Sequence, residues 1–216
     1  KTPLTSICGI SDMLMNGIVK PEDVKGFGGD INREAARLLA LVNDIIRLSE
    51  LDEGAEDTEK AETTDILEVA TDVVKSISGV AKKAGITVTA EGDSTLVNGG
   101  KSLIFEMIYN LCDNAVKYNR ENGSVKVTVG SAGGNAFIRV SDTGIGIAPE
   151  HIDRIFERFY RVDKSRSKQS GGTGLGLSIT HSTIMMHKGS IKVNSKEEEG
   201  TTILVRIPLK QPTTHG

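Results

Sequence analysis

Ile31, Leu38 and Ile45 fall seven residues apart, with Ala35, Leu41, Val42 and Leu48 between them. This spacing writes an apolar seam along one helix. An earlier helix carries Leu4, Ile7, Ile10 and Leu14 at three- and four-residue steps. Asn16-Gly17 breaks that pattern, and Pro21 with Glu22 and Asp23 suits the first turn of the next helix. Two such helices cannot bury both seams by themselves. Pairing with a second copy of the chain into a four-helix bundle is the economical solution. The alternative is a hairpin folded back on its own domain. Residues 1–51 are thus expected to form a two-helix dimerisation hairpin, half of a four-helix bundle.

Residues 52–62 are acidic and without periodicity, which predicts a linker. Beyond them, from 63 to 210, the pattern mixes helices at about 64–83, 101–118 and 175–187 with strands. The strands fall near 86–90, at 124–130 and 135–141, and in a hairpin pairing 190–195 with 201–208. Grouped helices and hairpins point to an α+β fold: an α/β sandwich whose antiparallel-rich sheet is covered on one face by helices. Residues 211–216 read as a tail.

Composition narrows the function. A net charge of −3 and 4% aromatics without tryptophan argue against nucleic acid as a partner. Cys8 and Cys112 sit in apolar helical patterns, as buried thiols of a reducing compartment would. No signal-peptide pattern or membrane-length apolar run is present, so the chain reads as soluble and cytosolic.

The 24 glycines cluster, which usually marks backbone that approaches a ligand or turns sharply. Four segments stand out. Asn110, Asn114 and Lys117 project from one face of the 101–118 helix, with Tyr118 following, while Leu103, Ile104, Met107, Leu111 and Ala115 form the other face. Two amides and an ammonium on one stripe suit Mg²⁺ and phosphate. Asp142 ends a strand and precedes Gly144 and Gly146, where a carboxylate can accept the amine of adenine and bare backbone leaves room for its ring. Phe156 to Arg161 is a short aromatic-basic run. Gly172, Thr173, Gly174, Leu175 and Gly176 lead into a helix, an arrangement that favours phosphate. Its alternating glycines are not the dinucleotide fingerprint. Gly99-Gly100-Lys101-Ser102 fails as a P-loop because Thr95 stands where the first glycine belongs.

In this order the segments resemble the N box, the two glycine boxes and the F box of the sensor histidine kinases, within the wider gyrase, Hsp90 and MutL ATPase family. Lys1-Thr2-Pro3-Leu4 resembles the second half of the H-box, His-Glu-Leu-Lys-Thr-Pro-Leu. Phe156 to Ser167 is similar to PhoR-type phosphate-regulon sensor kinases. The resemblance implies ATP and Mg²⁺ as cofactors. Asp142 would bind adenine in a pocket shaped by Gly144 and Gly146, and Asn114 would be the main metal ligand, assisted by Asn110. Lys117 and Arg158 would meet the phosphates, Tyr118 would flank the nucleotide, and Gly172 to Gly176 would anchor a lid. Thr2, four residues after the expected acceptor histidine, would position water for dephosphorylating the partner. That histidine would lie ahead of Lys1, because His151, His181, His187 and His215 match no acceptor position. Ile203 stands where the family often has Phe, a core exchange.

The implied activity is protein-histidine kinase, followed by phosphotransfer to an aspartate of a response regulator, within a homodimer. The chain would be the cytoplasmic portion of an inner-membrane sensor, reaching the membrane only through segments ahead of it. Two alternatives are a nucleotide-binding dimerisation module and a gyrase- or MutL-like ATPase. The second needs a glutamate, as base for water, where this chain has Asn110.

Overall fold

The computed structural model describes residues 2–52, 62–162 and 172–209. Helices α1 (Thr2–Met15) and α2 (Val24–Asp52) pack as a hairpin. Gly17, at φ +66°, ends α1: the Gly17 N–H donates to Leu14 O and the Ile18 N–H to Met13 O. That is the glycine-terminated cap the Asn-Gly pair foreshadows. With 29 residues, α2 runs for about 43 Å and extends well past its partner.

The apolar pattern of α2 divides into two faces. Leu41, Leu48 and Leu51 pack on Leu175 and Ile179. Leu39, Val42, Ile45 and Ile46 stay exposed. The helix thus folds back on its own chain along one stripe and leaves a second stripe facing outward. The two cysteines differ. Cys112 is buried, and burial, with the Asp113 carboxylate adding, pushes its thiol up to about 12. Cys8 is exposed, contrary to expectation, since an apolar pattern identifies a face and the 14-residue α1 leaves part of that face uncovered.

Five strands form the main sheet in the order β2-β4-β5-β7-β6. These are β2 (Thr87–Gly92), β4 (Ser124–Ala132), β5 (Asn135–Asp142), β6 (Ser190–Lys196) and β7 (Gly200–Pro208). The β2–β4 pair is parallel and the other three are antiparallel. Val127, Val140, Ile203 and Val193 lie in one row across the sheet. Val125, Val127, Val129, Ile138, Val140, Val205 and Ile207 are buried beneath α3 (Ile66–Lys83), α4 (Lys101–Lys117) and α6 (Gly176–Met186). Ile203 is among them at 8% exposure, so the smaller residue still fills the core.

Three short elements escape the sequence patterns. β1 (Thr63–Asp65) pairs antiparallel with β3 (Leu96–Asn98), and three-residue strands are too short to show periodicity. A four-residue helix, α5 (Pro149–Ile152), starts on its proline. The Phe156–Arg161 run is a set of turns in which Phe159 is 58% exposed.

Asp65 fixes where β1 stops and α3 starts. Its Oδ1 accepts the Leu67 N–H at 2.9 Å and the Thr95 N–H at 3.3 Å, while Oδ2 accepts the Ser94 hydroxyl. These bonds, the Ser94 hydroxyl foremost, hold its carboxyl below the usual carboxylate range. Asp65→Ala is expected to cost about 1 kcal/mol in urea unfolding at pH 7. A lowered folded pKa stabilises above the unfolded value, so the difference should shrink below about pH 4.

Candidate functional site

Helix α4 positions the site. Ile104, Met107, Ile108, Leu111, Cys112, Ala115 and Val116 are buried against the sheet and α3. That orientation turns Asn110 and Asn114 to the opposite side, where both are half-buried and neither side chain bonds another described residue. Leu103, expected on the apolar face, is only half-buried. Lys117, the last helical residue, pairs with Asp113 one turn earlier.

The two glycine clusters reach different parts of this one helix. At its C-terminal end, the Ile145 N–H donates to Tyr118 O at 3.1 Å, and Gly144 packs so closely that a Cβ there would collide with Tyr118 O. Half-way along α4, Gly176 lies against Asn110, where a Cβ would stand 3.4 Å from Asn110 Oδ1. The eight steps from Asn110 to Tyr118 span about 12 Å. One helix thus joins a glycine loop and a second, helix-opening glycine run along an elongated surface.

At the Tyr118 end, Asp142 closes β5. Its Oδ1 accepts the Gly144 N–H at 2.8 Å and the Thr201 N–H at 3.2 Å. Among the described residues nothing bonds Oδ2, which remains open to an amine. Burial raises the carboxyl above the usual range, against the pull of those two N–H groups. Gly146 has φ +72°, and a Cβ there would strike the Lys196 carbonyl. The Glu198 N–H donates to Ile145 O and the Ile147 N–H to Ser195 Oγ, both at 2.8 Å, so the loop is clamped to the β6–β7 hairpin.

At the Asn110 end, Gly172 to Leu175 precede α6, whose N-terminus carries no side-chain cap. Its first N–H groups and the positive end of its dipole favour an anion. Gly174, at φ +77°, accepts the Phe159 N–H through its carbonyl at 3.0 Å. Arg161 donates to the Gly172 carbonyl, whereas Arg158 donates to both oxygens of Asp52 at 2.9 and 2.7 Å. The arginine beside the glycine run is therefore Arg161. The sequence shows Arg161 in the aromatic-basic run but gives it no role of its own, because turns give no periodicity from which to choose between two arginines. Thr173 donates to Asp44 Oδ2 at 2.6 Å, a contact across 129 positions that no local pattern announces. Thr2 is the first residue of α1.

Residues 99–211 match the family described as the histidine kinase-, DNA gyrase B-, and HSP90-like ATPases, and residues 1–54 match the His Kinase A (phospho-acceptor) domain. The chain belongs to the histidine kinases of that ATPase family. A sensor-like histidine kinase, SenX3 of Mycolicibacterium smegmatis, is 34% identical over 218 aligned residues, covering 100% of this chain and 56% of the relative. The chain thus spans about half the length of that relative. Among solved structures, the histidine kinase AdeS of Acinetobacter baumannii has a TM-score of 0.80 at 25% identity, over 97% of this chain and 96% of that one. Full-length ShkA in complex with AMPPNP gives 0.72 at 26% identity, over 97% of this chain and 44% of that one. As a family ATPase domain, residues 99–211 supply the ATP-using part of the chain. Among the described residues no helix is long and apolar enough to cross a membrane.

An acid whose folded pKa is raised loses stability as pH climbs past its unfolded value. Asp142→Asn keeps an oxygen for Gly144 and Thr201 but removes the buried charge. The variant should therefore unfold at higher urea than the parent at pH 7, and the gap should close as pH falls to about 4. Equal midpoints at pH 7 would contradict the burial cost.

Proposed function

We propose that this chain is the ATP-binding and phosphotransfer core of a two-component sensor kinase. In it the γ-phosphoryl of ATP passes to a histidine and then to an aspartate of a response regulator. One observation carries the reading: a single helix, α4, brings the Asn110–Asn114 stripe, the Asp142 loop and the Gly172–Gly176 run onto one surface.

Asp142 Oδ2 accepts the adenine amine, and Gly144 and Gly146 keep the ring's place clear. Tyr118, 44% exposed at the end of α4, flanks the nucleotide. The uncapped start of α6, with Gly172, Thr173, Gly174, Leu175 and Gly176, faces the phosphates through backbone N–H groups. Lys117 and Arg161 add positive charge there. Arg158 contributes only when its pair with Asp52 opens. Asn114 and Asn110 fit Mg²⁺, since both are half-buried amides whose oxygens bond no other described residue and a hard cation prefers oxygen donors. When bound, the ion would supply charge neutralisation at the phosphates. No carboxylate stands at position 110 to take a proton from water, which favours transfer over hydrolysis. In-line phosphoryl transfer asks mainly for positioning and charge, which these residues provide.

The acceptor implied by Lys1-Thr2-Pro3-Leu4 stands three residues ahead of Lys1, and Thr2 positions water for the reverse, dephosphorylating step. Exposed Leu39, Val42, Ile45 and Ile46 on α2 support pairing with a second copy into a four-helix bundle, the surface on which the response regulator docks. The chain is then the cytoplasmic part of an inner-membrane sensor.

Incubation with γ-labelled ATP and Mg²⁺ tests the reading. Acid-labile, base-stable label should appear on a chain extended upstream through the histidine and be lost in its Asn114→Ala variant. An extended chain that binds ATP but takes no label would reduce the protein to a nucleotide-binding module.

A further inference from the structure

Helix α2 does more than rest against the nucleotide-binding half of the chain. Two of its carboxylates engage groups that the phosphate end of the site would use. Asp44 Oδ2 accepts the Thr173 hydroxyl at 2.6 Å, and that same Oγ1 accepts the Leu175 N–H at 3.3 Å. A negative charge from α2 is thereby held, half-buried, at the glycine run just before the uncapped N-terminus of α6. Eight residues on, the last residue of α2, Asp52, binds Arg158 through both carboxylate oxygens. Between them Arg47 pairs with Glu106 at 3.3 Å, one helical turn before Asn110, and Leu41, Leu48 and Leu51 cover Leu175 and Ile179.

We propose that Asp44 and Asp52 compete with the nucleotide's phosphates for the Gly172–Leu175 run and for Arg158, so that triphosphate binding and docking of α2 oppose each other. The inference rests on the nucleotide site assigned above. Its physics is like-charge repulsion and partner exchange. A triphosphate seated at the α6 N-terminus meets the Asp44 carboxylate at the same positive helix end. Half-burial at Asp44 leaves that repulsion less screened than at a free surface. Arg158, 51% exposed in its side chain, can leave Asp52 for a phosphate oxygen at little cost. The leucine contacts and the Arg47–Glu106 pair touch no phosphate group and set the docked position that the competition works against. Coupling of this kind is reciprocal: by whatever factor docking weakens triphosphate binding, the triphosphate weakens docking.

The test is calorimetric binding of ATP and of adenosine to the full chain and to its Asp44→Asn, Asp52→Asn and doubly substituted variants. The double variant should bind ATP about fivefold or more tightly than the parent, within the usual range of such couplings. Adenosine affinity should not change, because the base end at Asp142 is untouched. ATP affinity that is unchanged or weaker in the variants overturns the competition. Equal tightening of ATP and adenosine also overturns it, since a mere loosening of structure does not count phosphates. If none of the proteins binds ATP, the nucleotide site itself is refuted and the competition with it; normal parental binding alongside unaltered variants refutes the competition alone.

Discussion

Everything at the site depends on which way α4 faces. Its apolar side, from Ile104 to Val116, is driven into the core against α3 and the sheet, and several of these side chains are essentially unexposed. Each such burial contributes roughly 1.5–3 kcal/mol, far more than any polar contact of the opposite face. The amides of Asn110 and Asn114 are thus held outward by hydrophobic packing and need no hydrogen bonds of their own. Both glycine clusters then take their positions from the same helix. Gly144 must be bare to lie on the Tyr118 carbonyl, and Gly176 lies in ordinary van der Waals reach of Asn110.

The contact between α2 and the nucleotide-binding half is of another kind. Among the described residues its apolar part is Leu41, Leu48 and Leu51 on Leu175 and Ile179, and of its ion pairs Arg47–Glu106 is part-buried while Arg158–Asp52 is exposed. Exposed pairs contribute at most about 1 kcal/mol each. Such a contact is far weaker than the packing of α4. Under the function proposed above, that difference lets the ATP-binding part both visit and leave the helix that carries the acceptor.

Much of this was legible in the sequence, for identifiable reasons. The long helices and the strands of the sheet repeat at 3.6 or 2 residues, so α3, α4, α6, β4, β5, β6 and β7 lie close to their expected places. The stripe of Asn110, Asn114 and Lys117 was visible because a helix converts spacing into a shared face. The parallel pairing of β2 with β4, the short β1–β3 pair and the docking of α2 rest on contacts distant in sequence, which leave no local signature. Arg158 and Arg161 separate for the same reason, since their surroundings come from Asp52 and Gly172. The seam of α2 could be read as apolar, but not as two stripes, one packed on Leu175 and Ile179 and one exposed. Of the residues assigned to the site, Gly172 to Gly176 lie within the described structure, while the preceding stretch 163–171 falls outside the described residues.

The central claim is that one nucleotide lies along α4 from Tyr118 to Asn110, joining both glycine clusters. Amide hydrogen exchange on the full chain, with and without ATP and Mg²⁺, tests it most directly. A nucleotide in that position should add protection at residues 110–118, 142–147 and 172–178 together and leave β2 and α3 unaffected. Protection confined to one cluster, or appearing instead on β2 and α3, would contradict it.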